Sequence, residues 1–223
     1  MANRIPVLVL IAACGSACGT SNVNQAGPAA APAQTVQPGA PGQDSRPITP
    51  AQAADLSKVQ FTAADVHFMQ GMIGHHAQAV EMVAMIPSRT KDEAMLSLGM
   101  RIDVSQADEI KMMQGWLRTR GQDVPDPHDM QMHMDMGMGT LMPGMLTKAE
   151  MERLAASTGA DFERLFLEGM IKHHAGALTM VEELFATPGA GQDSEIYAFG
   201  SDVDADQRME IIRMGVMLKE LQQ

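Results

Sequence analysis

The chain contains the stretch Gly71-Met72-Ile73-Gly74-His75-His76-Ala77 and repeats it 98 residues further on (71 to 169) as Gly169-Met170-Ile171-Lys172-His173-His174-Ala175. Four of the seven histidines of the chain lie in these two copies. Neutral imidazole is the commonest metal ligand among protein side chains. The repeat therefore indicates a duplicated metal-binding unit.

The sequence around each copy has the period of an amphipathic helix, because two adjacent, mostly apolar seams recur every three or four positions. The second copy repeats both seams between Phe166 and Phe185. Both histidines of each pair should point into or along a buried face. Which neighbour faces the bundle centre stays open, since adjacent residues are about 100° apart on a helix. The seams of the first copy are Phe68, Met72, His75, Ala79, Met82 and Ile86, with Met69, Ile73, His76, Val80 and Val83 beside them.

A second predicted helix follows each copy and also matches between the copies, so the repeat unit is a helical hairpin. Two hairpins joined by one longer crossover predict an all-α four-helix bundle over residues 56–223. The matching residues are Gln106, Glu109, Ile110, Met113 and Leu117 in the first hairpin and Gln207, Glu210, Ile211, Met214 and Leu218 in the second.

Local signals mark the predicted helix ends. Pro87 and Pro188 are expected to close the first helix of each hairpin. Residues 90–93 (Thr-Lys-Asp-Glu) have the spacing of a capping box before the next helix. Residues 147–150 (Thr-Lys-Ala-Glu) form another such box, which should open a short helix. No run of the sequence reads as a strand.

Residues 1–13 read as an export signal, with Arg4 as the positive charge and an apolar run too short to span a bilayer. The sequence Ile11-Ala12-Ala13-Cys14 resembles a bacterial lipobox, in which the cysteine is lipidated and becomes the mature N-terminus. The alternative is cleavage after Ala17, which leaves Cys18 first and gives a soluble secreted protein. Either route predicts a periplasmic or cell-surface protein, touching the membrane only through a lipid anchor.

Residues 14–55 are predicted to be a disordered tether. From Ser21 to about Pro50 the chain is mostly Ala, Pro, Gln and Gly, which cannot bury enough apolar surface to offset the entropy of ordering. Both cysteines, Cys14 and Cys18, precede the folded region, so thiolate metal sites inside the domain are excluded. Metal ligands must therefore be His, Met, Asp, Glu or Gln.

Composition limits the partners and the core. The chain is 45% hydrophobic but only 4% aromatic, so its core must use aliphatic side chains and many of its 22 methionines. A formal net charge of -11 argues against nucleic acid, because a phosphate backbone is bound by a basic surface. Cations suit this surface better.

Polar residues on the predicted buried faces need partners, because burying them alone is costly. One interpretation is a structural network in which imidazole N–H groups donate to Glu109 and Glu210. The other is a metal site that uses the methionines of the same helices. The candidate ligands are Met72, His75, His76, Met113, Met170, His173, His174 and Met214, supported by Gln106, Glu109, Gln207 and Glu210.

The crossover, residues 126–146, is rich in methionine and histidine. Methionine takes every second position from 130 to 138 among polar residues, which is not the spacing of a helix face. Soft thioether sulfur favours Cu(I) or Ag(I), and histidine extends the range to Cu(II). A low-complexity or adhesive segment is the alternative. The candidate ligands are His128, Met130, Met132, His133, Met134, Met136 and Met138; the run continues to Met142 and Met145, whereas Met82, Met180 and Met217 on helix faces are expected to pack in the core.

The two His-His-x-x-Ala helices, each followed by Gln-x-x-Glu-Ile-x-x-Met, together resemble the ferritin-like bacterial family known as domain of unknown function 305, over residues 60–223. Some members are exported copper-binding proteins of the CopM type, implicated in copper resistance. The resemblance implies a ferritin-like four-helix bundle that binds Cu(I) and Cu(II) through Met and His. His67 departs from the repeat, since the second copy has Leu165 there, and is an extra candidate. The signature falls on Met72, His75, His76, Gln106, Glu109 and Met113, and on Met170, His173, His174, Gln207, Glu210 and Met214.

Catalysis is not expected. Di-iron oxidases of ferritin-like fold need Glu-x-x-His motifs, and no Glu stands three residues before a paired histidine. The His-Glu-x-x-His motif of zinc proteases is absent as well. The sequence thus predicts an exported protein that sequesters copper or hands it to a transfer partner. The alternative is a helical interaction module on the cell envelope with structural His–Glu networks.

Overall fold

The computed structural model describes residues 35–37, 44–54, 60–127 and 141–221 of the chain, and helices dominate them. The predicted all-α class is confirmed. No helix in this part of the chain is both long and apolar enough to cross a lipid bilayer. The elements are β1 (Thr35–Gln37), β2 (Arg46–Ile48), α1 (Pro50–Ala54), α2 (Ala63–Arg89), α3 (Glu93–Thr119), α4 (Lys148–Ala156), α5 (Gly159–Ala186) and α6 (Ser194–Glu220).

The bundle consists of two hairpins, α2 with α3 and α5 with α6. The hairpins meet mainly through α2 and α5, which carry the repeated His-His motif. The first half of α2 shares a core cluster with the second half of α5, and the second half of α2 shares another with the first half of α5. The two central helices are therefore antiparallel. The predicted duplication of a helical hairpin is confirmed.

Methionine takes much of the space that aromatic side chains fill in other cores. Met69, Met72 and Met113 lie in one core cluster, and Met170 and Met214 lie in the other. Their unbranched side chains suit irregular spaces. Along both central helices, the paired histidines lie between the stretches that build the two clusters. The boundary between the clusters is therefore polar.

A short antiparallel ladder corrects the expectation that no run of the sequence forms a strand. β1 pairs with β2, with Val36 opposite Pro47, and α1 follows. The expectation of no strand is wrong here, because β-branched Thr35 and Val36 favour extended backbone and the Pro- and Gly-rich sequence between the strands favours a turn. The ladder adds nothing to the core, since its described side chains are exposed or half-buried. The predicted export signal and residues 14–34 of the predicted tether, with Cys14, lie outside the described residues.

Two predicted helix ends are placed differently by the structure. Pro87 lies inside α2, which ends at Arg89. Proline removes only one N–H from this last turn, and the Thr90 N–H still donates to the Ile86 carbonyl at 3.1 Å. The capping box predicted at residues 90–93 is wrong, because Thr90 ends α2 and the carboxylate of Asp92 caps α3.

Other end signals behave as predicted. The capping box at residues 147–150 opens α4, and Pro188 follows the end of α5. A further box, Thr62 with Asp65, opens α2. In that box Asp65 Oδ2 accepts a 2.6 Å hydrogen bond from the Thr62 N–H.

Two buried carboxylates at equivalent positions of the repeat, Asp65 and Glu163 (65 + 98), tie the hairpins together. Asp65 Oδ1 accepts a 2.7 Å hydrogen bond from the N–H of Gly191, in the turn between α5 and α6. Glu163 accepts a hydrogen bond from the hydroxyl of Thr90, in the turn between α2 and α3. The first helix of each hairpin is thus fastened to the turn of the other hairpin.

We expect Asp65→Ala to lower the free energy of unfolding by about 2–3 kcal/mol, because it removes a helix cap and leaves the buried Gly191 N–H without an acceptor. Asp92→Ala removes a more exposed cap that, among the described residues, has no partner in the other hairpin, and it should cost about 1 kcal/mol. Urea unfolding followed by far-ultraviolet circular dichroism measures both losses. Equal losses would contradict a tie between the hairpins at Asp65.

Candidate metal centre

Four fully buried histidines meet where α2 crosses α5. The rings of His75 and His173 contact each other at the centre in a tilted arrangement, with centroids 3.9 Å apart and planes inclined by 37°. His76 and His174 stand to either side, 6.3 and 6.1 Å from their sequence neighbours. The sequence left open which histidine of each pair faces the bundle centre. In the structure it is the first of each pair, and the two first histidines contact each other.

Backbone carbonyls orient the two central rings. His75 Nε2 lies 3.0 Å from the carbonyl oxygen of Pro143, and His173 Nε2 lies 2.8 Å from that of His75. A carbonyl oxygen only accepts, so each Nε2 must carry the hydrogen. The remaining nitrogen, Nδ1, then holds a lone pair in both neutral rings.

Carboxylates orient the two flanking rings. His76 Nε2 donates to Glu109 Oε2 at 2.5 Å, and His174 Nε2 donates to Glu210 Oε2 at 2.5 Å. These bonds join α2 to α3 and α5 to α6. The pairing of imidazole with Glu109 and Glu210 that the sequence predicts is present in both copies.

The Nδ1 atoms of all four histidines are buried and have no hydrogen-bond partner among the described residues. The side-chain oxygens Oε1 of Gln106 and Gln207 are also buried and also lack a partner among these residues. Buried polar atoms are normally paired, so each unpaired one needs an explanation. Imidazole lone pairs without a donor are free to bind a metal ion.

Burial keeps the central rings neutral. Desolvation, with the neighbouring charge of a protonated His76, lowers the pKa of His75 from 6.5 to about 3. Burial and the charge of His75 hold the pKa of His173 well below its usual range. Burial works to raise the pKa of Glu109, but hydrogen bonds from His76 and Ser105 outweigh it and lower that pKa. Near neutral pH, a carboxylate therefore faces His76 and the two central imidazoles are uncharged.

The four predicted helix methionines are fully buried. Met72 and Met170 each precede a histidine pair by three residues, whereas the other two lie on the following helices, each four residues after the glutamate of the Gln-x-x-Glu motif. Met72 and Met113 belong to one core cluster, and Met170 and Met214 to the other. Within the described ranges, no three His, Cys, Asp or Glu side chains are grouped closely enough to hold a metal ion. A site with three or more ligands in this part of the bundle therefore needs a thioether or a movement of side chains.

The remaining sequence candidates lie elsewhere. His67 is exposed on α2 and takes no part in the buried centre. The crossover candidates His128, Met130, Met132, His133, Met134, Met136 and Met138 lie outside the described residues. At the end of the crossover, Met142 is half-buried and Met145 is buried.

Comparison with known proteins identifies the family. The model of the family described as domain of unknown function DUF305 matches residues 65–218. This chain belongs to the DUF305 family. None of the curated proteins matches it.

Solved structures similar to the DUF305 chain include a DUF305 fragment from Deinococcus radiodurans, with 30% identity and a TM-score of 0.58 over 72% of this chain and 98% of that one. A DUF305 protein from Streptomyces coelicolor, described as secreted, has 33% identity and a TM-score of 0.59 over 71% and 93%. CopM in its Cu(I)-bound form has 24% identity and a TM-score of 0.54 over 72% and 98%. Its Cu(II)-bound form gives 0.53. At this identity, the likeness to CopM shows a shared fold.

Sequence reasoning missed three groups around the centre of the DUF305 chain. The Pro143 carbonyl is a backbone atom, so no motif announces it. Ser105 donates to Glu109 Oε1 at 3.0 Å. Its equivalent is Asp206 (105 + 101), whose pKa is raised by burial and by the carboxylates of Glu109, Asp202 and Glu210. Extending the matched Gln-x-x-Glu motif by one residue would have found both side chains.

We expect Glu109→Ala and Glu210→Ala each to lower the free energy of unfolding by about 1–3 kcal/mol, because each leaves a buried imidazole N–H without an acceptor. The matched exposed variant Glu168→Ala, on α5, should cost less than about 1 kcal/mol. Thermal unfolding of the three variants measures the difference. Losses no larger than that of Glu168→Ala would contradict a structural role for the His–Glu pairs.

Stability should fall as the pH falls from 6.5 towards 3. In this window an unfolded chain protonates His75 and the folded chain does not, so acid favours unfolding. Each such histidine costs about 1.4 kcal/mol per pH unit. Urea unfolding at several pH values should show a shallower fall for His75→Gln than for wild type. The exposed control His67→Gln should match wild type, and an equally steep fall in all three proteins would contradict the assignment.

Proposed function

We propose that this protein is an exported copper-binding protein that holds Cu(I) and Cu(II) through histidine and methionine side chains. The state of the four buried histidines carries the proposal. Each Nε2–H is used by a carbonyl or a carboxylate, and each Nδ1 has no partner in the described part of the chain. Metal-ligating histidines commonly divide their nitrogens in this way, one on the metal and the other fixed by an acceptor.

The available donors favour a soft ion. Neutral imidazole and thioether together select Cu(I), and imidazole also binds Cu(II). Because no three His or acidic side chains gather at one point among the described residues, a thioether completes the coordination in this proposal. The candidates are Met72, Met113, Met170 and Met214, all fully buried.

Copper as the cargo is supported by the fold neighbour and by charge. CopM has the same fold and has been solved with Cu(I) and with Cu(II). The formal net charge of -11 makes the protein attractive to cations in general. Ag(I), which has the same preference for thioether and imidazole, is a second candidate cargo.

In this proposal the crossover and the bundle divide the work. The methionines and histidines of residues 126–146 collect Cu(I) in a labile form, and the buried histidines retain it. A lipid on Cys14 would hold the protein at the periplasmic or outer face of a membrane. There it would sequester copper or pass it to a partner protein, without catalysing a reaction, and so contribute to copper tolerance.

A structural role for the histidines is the second candidate. The bonds His76–Glu109 and His174–Glu210 join the helices of each hairpin and need no metal. The protein would then be a helical interaction module on the cell envelope. This alternative does not explain why the four buried Nδ1 atoms have no partner among the described residues.

Competition titrations of Cu(I) and Cu(II) against a coloured chelator test the proposal. We expect tight binding by the wild type, loss of it when His75, His76, His173 and His174 are all changed to Ala, and partial loss when residues 128–140 are deleted. The deletion spares residues 141–146, which pack on the bundle. His67→Ala is the matched exposed control and should bind as the wild type does.

Two outcomes would count against the proposal. Absence of tight copper binding by the intact protein would refute it. Abolition of all binding by the deletion alone would show that the buried histidines are structural. Because four changes can unfold a core, the single variants His75→Gln and His173→Gln are measured beside the quadruple one, and each should weaken binding about tenfold or more.

A further inference from the structure

Gly71 lies one turn before His75 on α2, and because it has no side chain it leaves room there for side chains from other elements. A β-carbon at this position would lie 3.4 Å from Met142 Sδ and 3.5 Å from Met180 Cε. Met180 comes from α5, and Met142 comes from the end of the crossover. Two thioether side chains from distant parts of the chain therefore end over the same patch of α2.

The equivalent position in the second copy, Gly169, is built differently. A β-carbon there would lie 3.1 Å from Leu146 Cδ2 and 3.3 Å from Met82 Cε. Met82 is the repeat equivalent of Met180 (82 + 98), but a leucine stands where the first copy has Met142. One sulfur side chain thus reaches Gly169, whereas two reach Gly71.

Exposure also differs between the two positions. Met82 is fully buried, whereas Met142 and Met180 are both half-buried. The pair at Gly71 is therefore partly accessible to solvent. The four histidines of the centre are fully buried and are not.

The thioether pair, Met142 with Met180, lies next to the buried centre. Residues 142–146 follow the face of α2, with Met142 at Gly71 and the Pro143 carbonyl on His75 Nε2. Leu146 exchanges two backbone hydrogen bonds with the side chain of Gln78, at 2.7 and 2.9 Å. Met142 thus directly precedes the residue whose carbonyl orients His75.

Small residues allow this close approach. A β-carbon at Gly176, on α5, would lie 1.9 Å from the Pro143 carbonyl oxygen, where no side chain fits. Gly144 has φ +74° and would place a β-carbon 2.4 Å from the Lys172 carbonyl oxygen. The backbone therefore holds Met142 and Pro143 in place against the two central helices.

We propose that the thioether pair is an uptake site for a soft monovalent cation, Cu(I) or Ag(I), which passes from there to the buried histidines. This inference rests on the proposed function. Two uncharged sulfur donors favour soft monovalent ions over hard ones, and the flexible methionine side chain lets both sulfurs turn towards an ion. The half-buried pair gives the ion a first ligand set that the buried histidines do not offer to solvent.

Methyl NMR of the full chain tests the inference, with Ag(I) as a redox-stable probe and 13C-labelled methionine methyl groups. We expect the Met142 and Met180 methyl resonances to shift at the first additions of Ag(I), and the Met82 resonance to stay in place. In the double variant Met142→Leu/Met180→Leu, the histidine 15N resonances report how fast Ag(I) reaches the histidines. This loading should slow about tenfold, which is the lower end of the usual loss when a residue that supports a metal site is changed. Met82→Leu is the matched control and should load at the wild-type rate.

The results separate this inference from the proposed function. Histidine shifts without shifts at Met142 and Met180, or wild-type loading in the double variant, would overturn the uptake site and leave copper binding intact. No shift of any histidine or methionine would overturn both. Methionine-to-leucine changes conserve volume, and thermal unfolding checks that the variants stay folded.

Discussion

Four buried imidazoles at the crossing of α2 and α5 form the constraint around which the bundle is organised. A buried polar group without a partner is costly, so each ring needs at least one acceptor in a fixed place. The chain supplies two carboxylates from the outer helices and two carbonyls from the backbone. The four Nε2–H groups are thereby satisfied, and four buried Nδ1 atoms remain without a hydrogen-bond partner among the described residues.

Proton affinity at the centre follows from the same burial. The lowered pKa values of His75 and His173 keep those rings neutral across the pH range in which an exposed histidine titrates. These neutral rings bind protons weakly, and their Nδ1 lone pairs stay available to a metal ion. A metal ion that prefers nitrogen and sulfur would therefore meet little proton competition there.

Much of the fold and part of the site can be predicted from sequence, because each motif occurs in both copies of the repeat and supports the same inference twice. Helical period and the matched Gln-x-x-Glu motifs indicate the hairpins and the pairing of imidazole with Glu109 and Glu210. The carbonyl of Pro143 cannot be foreseen, since any residue supplies a carbonyl and only the path of the crossover brings this one to His75. The tie from Asp65 to Gly191 escapes prediction for the same reason. Pro87 misleads because a proline near a helix end removes a single bond without stopping the last turn.

The account depends most on the Nδ1 lone pairs of the four buried histidines. 15N NMR of histidine-labelled protein observes them directly, before and after addition of Ag(I). We expect Nε2-protonated neutral rings for His75 and His173 without metal, and a large shift of Nδ1 resonances, with silver–nitrogen coupling, once Ag(I) is bound. Protonation of His75 or His173 at Nδ1, or Nδ1 resonances that do not change when Ag(I) is added, would contradict the metal centre.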